Sequence, residues 1–328
     1  MSYHQPPEWS PHALVWIGFP SATNLWLDDL DGAQAEVAAF ARAVHAGGRG
    51  ETVRLVCANK AAEDAAHALA GDFARIELAP FFDIWLRDTG PIMVRDGNEI
   101  IGLDYRGNGW GGKYPSPLDD ELARILLTHC ATPRRPRDWI LEGGAIDIDG
   151  NGLLITTEQC LLNPNRNPGL SRKEIEERLC ADLGVERVIW LRQGLVNDHT
   201  DGHIDNLARF VAPGIVTIPV ASWPNDPNTE IYADARRVAQ ASGLDVVDIV
   251  SPGRVEVDGE IVPASYMNFY IGNAAVVVPM YNVSDNRDLQ ALEMIATLFP
   301  DRQTIGLPAN HILTGGGSFH CISQQVPL

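Results

Sequence analysis

Short apolar runs separated by Gly, Asn or Asp recur along this chain and predict a series of β-hairpins. These three residue types tolerate the positive φ angles of tight turns, so each break can reverse the chain between two strands. Four hairpins are predicted, pairing residues 92–94 with 100–105, 145–148 with 153–157, 207–211 with 215–220, and 267–271 with 274–279.

Apolar residues at helical spacing predict helices between the hairpins. Leu122, Ile125 and Leu126 would share one helix face, and Ser171 with Glu174 has the capping-box spacing that opens a helix. The predicted helices cover residues 33–44, 119–130, 171–183, 229–241 and 285–298. Each is followed by another short apolar strand, for example at residues 54–57, 187–190 and 246–249.

This strand–strand–helix–strand order recurs about every 50 to 60 residues. The repeat predicts a single α/β domain over residues 1–328, built of radially arranged ββαβ units, and disfavours two tandem domains. A fifth hairpin is predicted to join the chain ends, with residues 318–323 beside residues 13–19. Closing a ring in this way removes an unpaired edge strand and would hold the C-terminus rigidly.

The composition limits the classes of binding partner and indicates a cellular compartment. The net charge of −18 disfavours nucleic acid and anionic membranes as partners; it is weakly consistent with a cationic substrate, although solubility explains it more simply. The five cysteines are widely spaced and include no CxxC pair, which argues against a disulfide framework or structural zinc and favours the cytoplasm. We expect neither a signal peptide nor a membrane span.

Polar residues stand at the start of the first strand of most repeats. They are Asp88, Glu142, His203 with Asp205, and Cys321, which follows Gly315, Gly316 and Gly317. Each alone has an ordinary explanation, as a turn former, a solvated acid, a structural histidine or an inert buried thiol. Equivalent positions of a radial repeat point to one centre, so we expect these side chains to converge. His203 and Asp205 alternate along a predicted strand and would face the same side.

Such a set of groups suits chemistry on a guanidinium. A thiol beside an imidazole is a nucleophile paired with an acid/base group, and two carboxylates can hold the forked N–H donors of a planar guanidinium. Attack by Cys321 on the guanidinium carbon would give a tetrahedral adduct, and His203 would protonate the departing ammonia. Water would then hydrolyse a covalent thiouronium. We expect the bound cation or His203 to lower the pKa of Cys321.

The chain also resembles the agmatine deiminases, guanidine-modifying enzymes with the five-bladed α/β-propeller (pentein) fold. The matching motifs run almost from end to end, at residues 6–9, 16–20, 87–91, 110–114, 141–144, 157–168, 202–206, 264–270 and 315–327. The resemblance implies hydrolysis of agmatine to N-carbamoylputrescine and ammonia, as in putrescine biosynthesis. It implies no metal or organic cofactor and a small cationic guanidine as substrate. A homodimer is a reasonable expectation for such an enzyme.

The resemblance implies catalytic roles for four residues. Cys321 corresponds to the nucleophile and His203 to the general acid/base, while Asp88 and Asp205 correspond to the carboxylates that hold the guanidinium. The presence of all four argues against the alternative that this is an inactive relative serving as a binding protein.

Further residues are implied in substrate binding. Trp85 corresponds to an aromatic ring that packs on the substrate, and Glu142 to a further active-site acid. Gly316 and Gly317 are expected to let the backbone pass close to the substrate, since glycine adds no side chain there.

The residues that recognise the other end of the substrate stay open. The segment before His203 departs from the family pattern, and Asp198, His199 and Asp201 are the candidates within it. Agmatine ends in an ammonium and needs a carboxylate, whereas arginine also needs a partner for its own carboxylate. An arginine or peptidylarginine deiminase with the same chemistry is therefore the alternative.

A metallohydrolase that uses His199, His203 and Asp205 is a second alternative. The spacing of the two histidines would suit a helix. Gly202 and the turn-forming residues before it disfavour a helix there, so this alternative is the weaker one.

Overall fold

Five small sheets in this protein share one construction. The computed structural model describes residues 3–283 and 286–328. In each sheet an antiparallel strand pair is followed by a helix and by a strand that runs parallel to the second member of the pair. Parallel neighbours need a crossover connection, and the helix provides it. The repeated ββαβ unit predicted from the sequence is confirmed.

The bounds of the repeated elements follow the predicted pattern closely. The antiparallel pairs are Ser323–Pro327 with His12–Phe19, Ile92–Asp96 with Glu99–Arg106, Ile146–Ile148 with Leu153–Thr157, Arg209–Ala212 with Ile215–Val220, and Tyr270–Ile271 with Ala275–Met280. The crossover helices are Leu30–His45, Pro117–His129, Arg172–Leu183, Thr229–Ala241 and Arg287–Ala296. The following parallel strands are Thr52–Cys57, Arg134–Ile140, Arg187–Leu191, Asp245–Val250 and Gln303–Pro308.

Smaller elements complete the sheets and their connections. The first sheet gains a fourth strand after a second helix, and the second sheet gains an N-terminal edge strand. These additions are Lys60–Ala70, Arg75–Leu78 and Tyr3–His4, and a separate two-stranded ribbon joins Glu256–Val257 to Glu260–Ile261. The short helices in the connections are Thr23–Trp26, Gly109–Gly112, Glu158–Leu161 and Asn310–Thr314.

The helix Arg172–Leu183 illustrates how local sequence sets an element. Ser171 accepts a hydrogen bond from the backbone N–H of Glu174, and the Glu174 carboxylate accepts one from the backbone N–H of Ser171 at 2.7 Å. Ile175, Leu179 and Leu183 form its buried face, and the helix ends at Gly184 in the left-handed conformation. The predicted start of another helix, at Asp285, lies outside the described residues.

The two chain ends meet in one sheet, as predicted, but in a different register. The strand Ser323–Pro327 pairs with His12–Phe19, with Ser323 opposite Ile17, whereas residues 318–323 were predicted to form this strand. The prediction is wrong because residues 318–322 form turns, in which Ile322 N–H donates to the carbonyl of Ser318 and Ser323 N–H to that of His320. Cys321 therefore lies in a turn before the strand.

Four single-turn helices stand where the sequence pattern predicted strand starts. They are Leu86–Thr89, Gly143–Ala145, Ile204–Asn206 and Tyr266–Asn268, and each contacts the next in this order. The prediction that His203 and Asp205 alternate along a strand is wrong, because the chain turns through Ile204–Asn206. These turns bury polar side chains at the centre of the ring, while the apolar core lies between the sheets and the outer helices. Among the described residues, no helix has the length and apolarity to cross a bilayer.

Candidate active site

A cavity with aromatic walls opens onto the inner turns. Aromatic rings, the glycine run, Asp88 and Cys321 all line it. The lining residues are Leu25, Phe82, Asp83, Trp85, Asp88, Trp110, Tyr114, His199, Thr200, Asn206, Thr314, Gly315, Gly316, Gly317 and Cys321. The cavity thus contains two of the predicted catalytic residues, the predicted aromatic ring and both predicted substrate-binding glycines.

Gly144 marks the point where three of the predicted polar side chains converge. A Cβ on Gly144 would lie 2.6 Å from His203 Nδ1, 2.9 Å from Asp88 Oδ1 and 3.1 Å from Asp205 Oδ2. Its backbone N–H donates to Asp88 Oδ1 at 2.9 Å. Any side chain at this position would displace the polar groups, so glycine is required by the close approach.

Cys321 joins this cluster through Asp205. The thiol Sγ donates to Asp205 Oδ2 at 3.4 Å and accepts from Asn268 Nδ2 at 3.0 Å. The side-chain oxygen of Asn268 also accepts from the backbone N–H of Cys321 at 3.2 Å. Asn268 was not singled out from the sequence, although it lies in the fourth repeat at the phase where the other repeats carry their polar residues.

The thiol is protonated in the ligand-free protein. Burial raises the pKa of Cys321 well above its ordinary value, and the charges of Asp205 and Asp88 raise it further. The predicted lowering by His203 is therefore not present in the ligand-free protein, where burial and then the two carboxylates raise the pKa of Cys321.

Asp88 and His203 form a loose, buried contact. His203 Nδ1 lies 3.7 Å from Asp88 Oδ1, and Asp88 Oδ2 accepts from Trp110 Nε1 at 2.8 Å. Burial alone lowers the pKa of His203, but Asp88 and contacts with Cys160 and Glu142 outweigh it and raise the pKa well above its usual range. Burial raises the pKa of Asp88, which His203 opposes. His203 is therefore an imidazolium at neutral pH.

Glu142 stands on the far side of His203 and is neutralised by an arginine. Its Oε2 lies 3.5 Å from His203 Nε2, and its two oxygens accept from Arg166 Nε at 2.8 and 3.0 Å. Burial alone raises the pKa of Glu142, but His203 and Arg166 outweigh it and lower the pKa. Arg166 was not identified from the sequence as part of the site; it lies in the matching motif at residues 157–168.

Within the described parts of the chain, one group of three potential metal-binding side chains comes together. Donor atoms of Glu142, Cys160 and His203 lie within 4.8 Å of one another. Because Arg166 already neutralises Glu142 and His203 is cationic, we interpret the group as an acid–base cluster. The set proposed for a metallohydrolase is not assembled, because His199 is exposed and lies outside this group.

The three candidates for recognising the substrate tail lie in different surroundings. Asp198 accepts from Thr200 N–H at 2.9 Å and Thr200 Oγ1 at 2.6 Å; Thr200 lines the cavity, but Asp198 does not. Asp201 is bound by Lys113 at 2.6 Å and by Arg166 at 2.7 Å. Of the three, only His199 lines the cavity, so neither aspartate is available for an ammonium.

A further acid that the sequence did not single out lines the cavity. Asp83 accepts from the backbone N–H of Ile84 at 2.8 Å and from Trp85 Nε1 at 2.8 Å. Burial raises its pKa to about 6. Its position two residues before Trp85 is the sequence signal that could have indicated it.

The glycine run packs directly on the wall of the cavity. A Cβ on Gly317 would lie 2.5 Å from Trp85 Cζ3, and one on Gly315 would lie 2.8 Å from Trp85 Cζ2. Gly316 has a φ of +100°, a conformation that favours glycine. The glycines therefore allow the backbone to approach the indole of Trp85 closely, and the predicted approach of Gly316 and Gly317 to the substrate stays a prediction.

Comparisons with known proteins identify the family of this chain. A sequence profile of the Porphyromonas-type peptidyl-arginine deiminases matches residues 4–327. The chain is similar to the agmatine deiminase of Stutzerimonas stutzeri (strain A1501), with 39% identity over 358 residues, covering 99% of this chain and 95% of that protein.

Solved structures give the same result. The chain is similar to the agmatine deiminase of Enterococcus faecalis, with a TM-score of 0.92, 32% identity and coverage of 99% of this chain and 96% of that one. It is also similar to a substrate-bound Cys-to-Ser variant of C. jejuni agmatine deiminase, with a TM-score of 0.89, 26% identity and coverage of 99% and 96%. The predicted five-bladed α/β-propeller is confirmed.

Proposed function

Because this chain belongs to the Porphyromonas-type peptidyl-arginine deiminase family, we propose that it hydrolyses agmatine to N-carbamoylputrescine and ammonia. The observation that carries the proposal is the buried cluster of Cys321, Asp88, His203 and Asp205, of which Cys321 and Asp88 line an aromatic cavity. The resemblance to agmatine deiminases drawn from the sequence motifs is confirmed by the full-length relatives.

The carboxylates Asp88 and Asp205 bind the guanidinium in this mechanism. Asp205 Oδ1 is buried and has no hydrogen-bond partner among the described residues, so it is free to accept a substrate N–H. Paired carboxylates fix the guanidinium plane and orient its carbon toward the sulfur of Cys321. Trp85 provides an apolar surface for the methylene chain.

Substrate binding generates the nucleophile. Asp205 and Asp88 raise the pKa of Cys321 in the free enzyme, and a guanidinium between them compensates their charges. The pKa of the thiol therefore falls when the cation binds, and the thiolate forms next to its target. This proposal keeps the expectation from the sequence that the bound cation lowers the pKa of Cys321.

The reaction then proceeds in two steps. The Cys321 sulfur forms a bond to the guanidinium carbon, His203 donates a proton to one nitrogen, and the C–N bond breaks to release ammonia. The covalent thiouronium is attacked by water, which returns one proton to His203. The C–S bond then breaks, the second proton of the water passes to the sulfur, and N-carbamoylputrescine and the Cys321 thiol are released. Asp88, and with it Glu142 on the other side of the ring, keeps the imidazole of His203 cationic for the first step.

The cavity favours agmatine over arginine or an arginyl peptide. No Arg or Lys side chain lines it among the described residues, so a substrate carboxylate or peptide carbonyl would lack a cationic partner. Asp83 is the acid that lines the cavity outside the catalytic cluster. An ammonium tail therefore suits this lining better than a carboxylate.

The chain is proposed to act as one catalytic domain, residues 1–328, and as a cytoplasmic homodimer. The pairing of both chain ends in one sheet supports the single domain. All five cysteines are free, which suits a reducing compartment. Light scattering of the purified protein measures the oligomeric state, and a mass of one chain would refute the dimer.

The test of the proposed activity is a direct substrate comparison. Purified protein is offered agmatine, arginine and a blocked arginyl peptide, and ammonia release is followed, with the Cys321→Ser variant as the inactive control. We expect turnover of agmatine alone. Preference for arginine or the peptide would overturn the substrate but not the chemistry, and no turnover of any guanidine would support a binding protein instead.

A further inference from the structure

His320 lies between two buried carboxylates next to the proposed nucleophile. Its Nδ1 is 2.8 Å from Asp205 Oδ2 and its Nε2 is 2.9 Å from Glu8 Oε2. All three side chains are buried. The ring of His320 therefore links Asp205, which contacts the Cys321 sulfur, to Glu8 from the N-terminal segment.

The two short contacts determine how the imidazole is protonated. An ionised carboxylate only accepts hydrogen bonds, and a neutral imidazole carries one N–H. Burial alone would raise the pKa of both acids, but Arg209 and His320 outweigh it for Glu8, and His320 does so for Asp205, so the pKa of each acid is lowered. Each short contact to a carboxylate oxygen that accepts requires an N–H on the ring nitrogen facing it, so the geometry calls for donation from both nitrogens of His320.

Glu8 is itself held by several donors. Its Oε1 accepts from Ile271 N–H at 2.8 Å and lies 3.0 Å from Arg209 Nη2. Its Oε2 also accepts from Arg87 Nη2 at 3.3 Å. Because these donors already satisfy the carboxylate, Glu8 has a defined position from which to orient the ring of His320.

The backbone and the side chain of His320 make separate sets of hydrogen bonds. His320 N–H donates to Asn268 Oδ1 at 3.0 Å and its carbonyl accepts from Ser323 Oγ at 3.0 Å. These bonds hold the turn that carries Cys321 without using the imidazole. The ring instead occupies Asp205 Oδ2 and leaves Asp205 Oδ1 without a partner among the described residues.

We propose that Glu8 and His320 are a positioning pair, in which His320 is held as an imidazolium and keeps Asp205 ionised with Oδ1 directed to the substrate guanidinium. The inference rests on the proposed function, because it assigns the binding of the guanidinium to Asp205. His320 does not touch the substrate; it acts through Asp205. The charged and titratable groups that surround this pair are Asp205, Arg87, Arg209, Asp147, Tyr270, Arg302, Cys321, Asp88 and His203.

A direct test reads the protonation of the ring without any turnover. Protein labelled with ¹⁵N in its histidines is examined by NMR at neutral pH, and the signals that disappear in His320→Gln are assigned to His320. We expect two protonated ring nitrogens. One protonated and one bare nitrogen would overturn the proposal, even in a protein that does not turn over agmatine.

The kinetic test compares matched histidine variants. His320→Gln should lower kcat/KM for agmatine about 100-fold and raise KM, because glutamine cannot supply a cation to Asp205. Without that cation the pKa of Asp205 rises. The acid limb of the pH profile of kcat/KM should therefore move about one unit to higher pH. His12→Gln is the control, because His12 is in a buried pair with Glu51 at 2.8 Å and neither residue lines the cavity.

The outcomes separate the two proposals. No agmatine turnover by the unmodified protein would refute the proposed function, whereas normal turnover with an unchanged pH profile in His320→Gln would refute the positioning pair alone. If His320→Gln does not fold, Glu8→Gln serves instead. In that variant one histidine ring N–H signal of the unmodified protein should disappear, and retention of all of these signals would contradict the role given to Glu8.

Discussion

The centre of the molecule contains two buried histidines that differ in how tightly their neighbours hold them. His203 lies 3.5 Å from Glu142 and 3.7 Å from Asp88, and its Nε2 has no hydrogen-bond partner among the described residues. His320 contacts Asp205 at 2.8 Å and Glu8 at 2.9 Å. Both rings are buried between carboxylates, so distance, and not burial or charge, distinguishes them.

The difference indicates two distinct uses of the same side chain. Short hydrogen bonds on both ring nitrogens fix the protons and the orientation of His320, which suits a residue that positions a neighbour. Longer contacts leave His203 free to approach the substrate and to transfer a proton. In the proposed reaction the loosely held histidine moves protons and the tightly held one maintains the charge of Asp205.

The largest expected effect comes from removing the sulfur of Cys321, the proposed nucleophile. Cys321→Ser should reduce kcat for agmatine by at least about 10⁴-fold, because serine is a far weaker nucleophile and is not activated here by a base. Isothermal titration should still detect agmatine binding. Cys180→Ser, on an outer helix, is the matched control, and a similar loss in that variant would contradict the role of Cys321.

The next effect separates the two histidines. His203→Gln should lower kcat about 1,000-fold with little change in KM, because it removes proton transfer and not substrate binding. His320→Gln, in contrast, should change KM as well. Steady-state kinetics of both variants measure these effects. The same changes in kcat and KM in the two variants would contradict the different roles given to His203 and His320.

Glu142→Gln tests why His203 is charged. The raised pKa of His203 means that the imidazolium persists below that pKa and is lost as pH rises through it. Removing Glu142 lowers this pKa, so the alkaline limb of kcat should move about one unit to lower pH, and kcat should fall about 100-fold. Arg166 would also lose one partner, so thermal unfolding should occur at a lower temperature. An unchanged alkaline limb would show that Glu142 does not set this pKa.

The smallest effect concerns the thiol in the ligand-free state. Because burial and the charges of Asp205 and Asp88 raise the pKa of Cys321, neutral iodoacetamide should react slowly with it at neutral pH. A cationic haloacetamidine should compensate the carboxylates and label Cys321 about ten times faster than Cys180. Peptide mass spectrometry measures both rates, and equal labelling of the cysteines would count against thiol activation by the bound cation.

Much of the fold could be predicted because its signals are local. The hairpin turns, the capping box at Ser171 and the repeated strand–helix order each depend on neighbouring residues, and the described elements agree with them. The strand at the C-terminus was misplaced because Ser318 to Ile322 form turns stabilised by contacts with distant residues such as Asn268. No local pattern of polarity distinguishes such turns from an extended strand.

The candidate site, like the fold, has features that the sequence predicts and features that it does not. The sequence by itself determined the repeat, the chemical types of Cys321, His203, Asp88 and Asp205, and the family to which they belong, because motifs and their order are properties of the chain. Only the tertiary structure decided the neighbours: Asn268 on the sulfur, Arg166 on Glu142, and Glu8 with His320 behind Asp205. These partners lie far apart in sequence, and the distances between them, which distinguish a mobile proton from a fixed one, exist only in the folded ring.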